Sequence, residues 1–126
     1  MASVYELFIE AWFSAAHRLD GYPGDCANLH GHNWKVAVHV ACRELDALGM
    51  GIDFRDLKII VAAVVDELDH GILNDHPAFK TQNPTAENIA RHIYREVAAR
   101  RPGARVALTA VAVTESPGVG VIYREE

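Results

Sequence analysis

From Tyr5 to His17 every second residue (Tyr5, Leu7, Ile9, Ala11, Phe13, Ala15, His17) falls on one track, apolar or aromatic until its last member. A period of two puts these side chains on one face of a β-strand, with His17 at the end of that face. Turn formers follow in Asp20-Gly21-Tyr22-Pro23-Gly24-Asp25. A second period-two track then runs through His30, His32, Trp34, Val36, Val38 and Val40. It predicts a second strand whose core face begins with two histidines.

The period then changes. Met50 to Asp53 reads as a strand tail entering a helix, with Asp53 as N-cap. Leu57, Val61, Val64 and Leu68 recur at helical spacing, which predicts a helix over 54–68, with Gly71 as its C-terminal breaker. Asn83-Pro84-Thr85 opens a second helix with Ile89, Ile93 and Val97 on its apolar stripe, ending before Arg101-Pro102-Gly103. Val106 to Glu115 and Val119 to Tyr123 read as strands joined by a tight hairpin at Ser116-Pro117-Gly118. The order strand, strand, helix, helix, strand, strand predicts an α+β domain on an antiparallel sheet. With no repeat or linker along it, 1–126 reads as a single domain.

Composition narrows the class. At 126 residues, 50% hydrophobic and 23% charged, the chain can bury a core without staples. A net charge of -5 provides no global basic field for nucleic acid or an anionic membrane, so an anionic ligand would need local cations or a metal. Glu6 and Glu10 interrupt the N-terminal apolar run, unlike a signal peptide, and no stretch reaches the length of a membrane span. Two cysteines do not make an exported disulfide framework, so a cytoplasmic protein is expected.

The chemistry sits where the strand faces end. Residues i and i+2 of a strand have Cα atoms about 6.5–7 Å apart on one face. His30 and His32 can therefore converge on one ion, and His17 could close a three-histidine set. Three neutral nitrogen ligands with an open position are the pattern of catalytic zinc. On spacing alone, partly buried histidines hydrogen-bonded at a sheet edge remain an equal alternative. His39, on the opposite face, and His76 and His92, elsewhere, read as ordinary.

Cys26 lies in the loop before His30, where a nearby cation or imidazolium would activate it as base or nucleophile. A small apolar filler is the other reading, and the one taken for Cys42. Asp69-His70 follow the first helix; they could form a proton relay, or His70 could simply sit at a helix C-terminus. Glu115 continues the apolar face of Val111 and Val113, so its carboxylate either meets a ligand with paired N–H donors or reaches solvent. Thr85 and Glu87 read most simply as cap and dipole partner.

The segments "FSAAHRL", "CANLHGHNW", "GMGIDFRDLK", "LDHGILND", "NPTAENIA" and "VAVTESPGVGVIY", in this order, resemble the 6-pyruvoyltetrahydropterin synthase superfamily over nearly the whole chain. The resemblance implies His17, His30 and His32 as zinc ligands and Cys26 as the catalytic cysteine. It implies Asp69 and His70 as proton-relay partners, and Glu115 as the glutamate that anchors the pterin ring. Thr85 and Glu87 match family positions near the ligand pocket. The spacing C-x-x-x-H-G-H is similar to that of the bacterial 6-carboxytetrahydropterin synthases of the queuosine and deazapurine pathway.

The activity so implied is Zn2+-dependent conversion of 7,8-dihydroneopterin triphosphate to 6-carboxy-5,6,7,8-tetrahydropterin, with release of acetaldehyde and triphosphate. Triphosphate elimination to the pyruvoyl product is the alternative, and a zinc- and pterin-binding protein without turnover is a third. The implied architecture is the tunnelling fold, a four-stranded antiparallel sheet with two helices on one face. It assembles into a homohexamer of stacked trimers with active sites between subunits. Arg18, Lys35 and Lys58 are candidates for the triphosphate by position only.

Overall fold

The computed structural model describes residues 2–126. Strands β1 (Tyr5–His17) and β2 (His30–Cys42) pair antiparallel along their whole length, from Tyr5 opposite Cys42 to His17 opposite His30, without a register shift. Helix α1 (Phe54–Asp66), a short strand β3 (Gly71–Ile72) and helix α2 (Ala86–Ala99) follow, then β4 (Ala107–Ser116) and β5 (Val119–Tyr123). The sheet order is β3-β1-β2-β4-β5.

Both helices cover one face. Phe13, Trp34, Val36, Val38 and Val113 of the sheet pack with Leu57, Val61 and Val64 of α1 and Ile89, Ile93 and Val97 of α2. Fully burying one such side chain stabilises the fold by about 1.5–3 kcal/mol, so the period-two and helical tracks meet in one core. The opposite face carries no helix. Phe8, Trp12 and Ile122 stand exposed there, among the pairs Lys35–Glu10 at 3.2 Å and His39–Glu6 at 3.3 Å.

Three expectations are corrected. The sheet is five-stranded and mixed rather than four-stranded and antiparallel, because β3 runs parallel to β1 at Ala15 and Ala16. A two-residue strand is too short for any alternation to reveal. Second, α1 stops at Asp66 and Gly71 is no breaker: the left-handed residue is His70 (φ 59), and Gly71 begins β3. A His70 N–H to Ser14 C=O bond of 2.6 Å holds that backbone. Third, Met50–Asp53 is not a strand tail. The Asp46 carboxylate accepts the N–H groups of Leu48 and Met50 at 2.8 and 2.9 Å, which folds the segment into a turn. Asp53 does cap α1, accepting from the Arg55 N–H at 2.8 Å. No helix among the described residues is long and apolar enough to cross a bilayer.

Candidate metal centre and active site

The in-register β1–β2 pair sets His17 directly opposite His30, and His32 is the next residue on the same face of β2. The three ring centroids lie 4.5, 4.9 and 5.3 Å apart. With one oxygen of Glu115, their ligand atoms all fall within 4.8 Å of one another.

The tautomers follow from the neighbours. His17 Nδ1 lies 2.7 Å from the Pro84 carbonyl and His30 Nδ1 lies 2.8 Å from the Asn28 carbonyl. A carbonyl only accepts, so each Nδ1 carries the proton and each Nε2 lone pair is free for an ion. His17 is 1% exposed. Its Nε2 and that of His32 are buried with no hydrogen-bond partner. Partnerless buried nitrogens are costly, and two of them converging with a third imidazole fit a divalent cation.

Burial, above all, holds His17 below the ordinary histidine range; His30 and His32 push the same way, against the Pro84 carbonyl and Glu115. The neutral form so favoured is the one that ligates. Trp34, 0% exposed, walls the site: its ring stands edge-on to His17 and His32 at 5.0 and 5.2 Å, and its Nε1–H donates to the Ala15 carbonyl at 3.2 Å.

Glu115 reaches the group from β4. Thr114 pairs with Gly120 and Ser116 with Val119, which leaves Glu115 as the unpaired residue of a bulge. Bulges re-aim side chains. Its Oε1 lies 2.9 Å from His32 Nε2. Sequence reasoning left this carboxylate either to a ligand or to solvent; the fold sets it beside the histidines.

Cys26 and the Asp69–His70 pair lie outside this group of four. Cys26 sits half-buried in a single 3-10 turn, Asp25–Ala27, and its carbonyl accepts from the Leu19 N–H at 2.8 Å. It is a free thiol, as is the buried Cys42. Asp69 Oδ2 lies 2.8 Å from His70 Nδ1, while its Oδ1 accepts the Ser14 N–H, also at 2.8 Å. The Ser14 N–H first, and His70 second, hold the Asp69 carboxyl below the usual range. The His70 side chain is 81% exposed and borders a shallow depression that also touches His32.

Thr85 caps α2, its hydroxyl accepting the Asn88 N–H at 3.1 Å, and Glu87 is exposed in the first turn. The structure brings neither into the histidine group. Of the candidate cations, Arg18 pairs with Asp20 at 3.3 Å, Lys35 sits on the open sheet face, and Lys58 is exposed on α1.

Sequence reasoning missed the carbonyls of Pro84 and Asn28, which carry no side-chain signal. It also passed over Asn74. That buried amide accepts the Arg18 N–H at 2.9 Å and donates to the Arg18 carbonyl at 3.0 Å, clamping the chain beyond His17. Its one signal in the sequence is a polar residue directly after the apolar Ile72-Leu73 of "LDHGILND".

A profile of the family described as 6-pyruvoyl tetrahydropterin synthase matches residues 6–126. A putative 6-carboxy-5,6,7,8-tetrahydropterin synthase of Archaeoglobus fulgidus is 42% identical, over 71% of this chain and 73% of that protein. The 6-carboxy-5,6,7,8-tetrahydropterin synthase of Haemophilus influenzae is 30% identical, over 97% of this chain and 100% of its own. The solved 6-pyruvoyl tetrahydropterin synthase of Caenorhabditis elegans superposes with a TM-score of 0.87 at 29% identity, covering 99% of this chain and 98% of that one.

Proposed function

Because the chain belongs to the 6-pyruvoyl tetrahydropterin synthase family and is an enzyme of lyase type, we propose that it converts 7,8-dihydroneopterin triphosphate to 6-carboxy-5,6,7,8-tetrahydropterin. One water is consumed, acetaldehyde and triphosphate leave, and Zn2+ is the metal. The observation that carries the reading is the convergence of His17, His30 and His32, with the Nδ1 atoms of His17 and His30 tied back to carbonyls. The C-x-x-x-H-G-H spacing and the names of the two sequence relatives favour the carboxy product. Residues 1–126 act as one catalytic domain in the cytoplasm, and the product feeds queuosine or 7-deazapurine synthesis.

His17, His30 and His32 would hold the ion, which supplies positive charge against the negative charge that develops on side-chain oxygens as protons are lost. Cys26 takes a proton from the substrate side chain. Asp69, kept ionised by the Ser14 N–H, orients the His70 Nδ1–H and leaves His70 Nε2 to accept and return a proton. Glu115 fixes the pterin through its ring N–H and exocyclic amine. With its side chain 81% exposed, His70 completes the site of a neighbouring copy in a homohexamer, and the helix-free sheet face, with Phe8, Trp12 and Ile122 exposed among charged pairs, supports such an assembly.

The test is incubation of zinc-loaded protein with 7,8-dihydroneopterin triphosphate, with acetaldehyde and the pterin product read by mass spectrometry. Acetaldehyde with 6-carboxy product, lost in Cys26→Ala, is the expected result. The likeness to the nematode enzyme favours a second reading, the pyruvoyl product, which would form without acetaldehyde. Zinc and pterin binding without turnover would refute both.

A further inference from the structure

We infer that Glu115 is a displaceable fourth ligand. In the ligand-free protein its carboxylate closes the metal site, and an arriving pterin ring draws it away, so that a coordination position opens only when substrate is present. This rests on the proposed metal site and deepens it.

The first support is the geometry at His32. Glu115 Oε1 lies 2.9 Å from His32 Nε2, yet that nitrogen has no hydrogen-bond partner, because the oxygen sits off the axis along which an N–H would point. A nitrogen and an oxygen side by side with no hydrogen bond between them leave both lone pairs open to one ion. Ligand atoms of His17 and His30 join them, all four lying within 4.8 Å of one another. Zinc takes carboxylate oxygen at about 2.0–2.2 Å, much as it takes imidazole nitrogen, and four protein ligands make a closed tetrahedral site. The carboxylate also offsets charge that three neutral imidazoles would leave uncompensated beside buried Trp34.

The second support is that Glu115 is the only one of the four that stands outside a paired rung of the sheet. His17 and His30 are bound through Nδ1 to carbonyls, and all three histidines sit in the unbroken β1–β2 ladder. Glu115 has no rung toward β5, and the last rung of β4 toward β2 is Lys35 with Thr114. No N–H or O–H among the described residues makes a hydrogen bond to its carboxylate. Its side chain is 30% exposed, whereas His17 is 1% exposed. A pterin edge offers two adjacent N–H donors, which match one carboxylate and can replace its contact with the ion. Three ligands on paired rungs and one on a bulge make a site that stays shut against water and stray anions until the ring arrives.

The test uses Co2+, whose visible absorption reports coordination, in wild type, Glu115→Gln and His17→Ala. Unsubstituted pterin serves as probe, since it lacks a side chain that could reach the ion. Wild type should show a four-coordinate spectrum that pterin converts to that of Glu115→Gln. Glu115→Gln should bind Co2+ about 10–100-fold more weakly and accept azide without pterin. Identical spectra and affinities for wild type and Glu115→Gln, with binding lost in His17→Ala, would overturn this inference and leave the metal site standing. So would a wild-type spectrum unmoved by saturating pterin. Absence of Co2+ and Zn2+ binding to wild type would overturn both.

Discussion

Ser14 and Asp69 are joined through the main chain of β1: the Ser14 N–H donates to Asp69 Oδ1 at 2.8 Å, and the Ser14 carbonyl takes the N–H of His70 at 2.6 Å. These two bonds fasten the left-handed His70 to the strand edge and start β3. Asp69 thus has one oxygen committed to the fold and one to the imidazole.

That division separates two variants. Asp69→Asn keeps an acceptor for Ser14 and should hold its Tm close to wild type, while kcat falls by about 10²–10⁴, the usual worth of acid–base assistance. Asp69→Ala should lose activity to the same degree and also melt earlier, since the Ser14 N–H is left without its partner. Calorimetry beside the product assay reads both. Equal melting of the two variants would contradict the assignment of Oδ1.

Trp34 offers a direct view of the metal. Trp12→Phe leaves it as the sole tryptophan, because the chain has two. With its ring 5.0 and 5.2 Å from His17 and His32, bound Co2+ should quench its fluorescence, saturating at about one ion per chain. His30→Ala should abolish the quenching. An unquenched Trp34 in protein shown by dialysis to hold cobalt would place the ion elsewhere.

The second histidine cluster sets a pH dependence. Burial first, then His76, holds His92 below the ordinary histidine value; Arg100 adds to this, and Glu96 and Glu67 oppose it. Metal-free His17 is lowered as well. Near pH 6 the unfolded chain takes up protons that the folded chain refuses. Stability is therefore full above about pH 6.5 and falls as pH drops through the folded values. Urea titrations of metal-free protein from pH 8 to 5 should show this fall, at most about 1.4 kcal/mol per pH unit for each histidine. His92→Leu should remove its share of the slope; a stability that rises toward pH 5 would refute the sign.

Thr85 links helix capping to the metal site. Thr85→Ala should cost about 1 kcal/mol by freeing the Asn88 N–H, and Thr85→Ser should recover most of it. Pro84, the preceding residue, supplies the carbonyl that orients His17, so zinc affinity should fall in Thr85→Ala and return in Thr85→Ser. Competition with a chromophoric chelator measures it. Unchanged affinity in a destabilised Thr85→Ala would uncouple the two.

Legibility in the sequence followed the length of each pattern. The thirteen-residue strands β1 and β2 announce themselves by alternation, and alternation alone is enough to put His17, His30 and His32 on one face. The second helix and the last hairpin are equally plain from a cap, a stripe and Ser116-Pro117-Gly118. What escapes is short or is made of main chain. β3 has two residues and forms only because Asp69 and His70 are pinned to Ser14. Glu115 follows Val111 and Val113 by period, but its approach to His32 comes from a bulge that no period announces. Pro84 and Asn28 contribute only carbonyls, which every residue possesses.

The pairing of His17 with His30 divides the molecule's chemistry into a fixed part and a variable one. Residues 18–29 leave and re-enter the sheet at one rung, so the histidine geometry is closed off beneath them by the ladder. The connection can lengthen, shorten or change its turn without shifting the ion's ligands, yet each such change carries Cys26 to a new place above them. A single residue inserted between His30 and His32 would instead turn one away from the other and break the site outright. Natural variation and engineering therefore have very different tolerances a few residues apart: the strands admit substitutions alone, while the connection is a replaceable cassette through which new reactions can be tried over an unchanged metal.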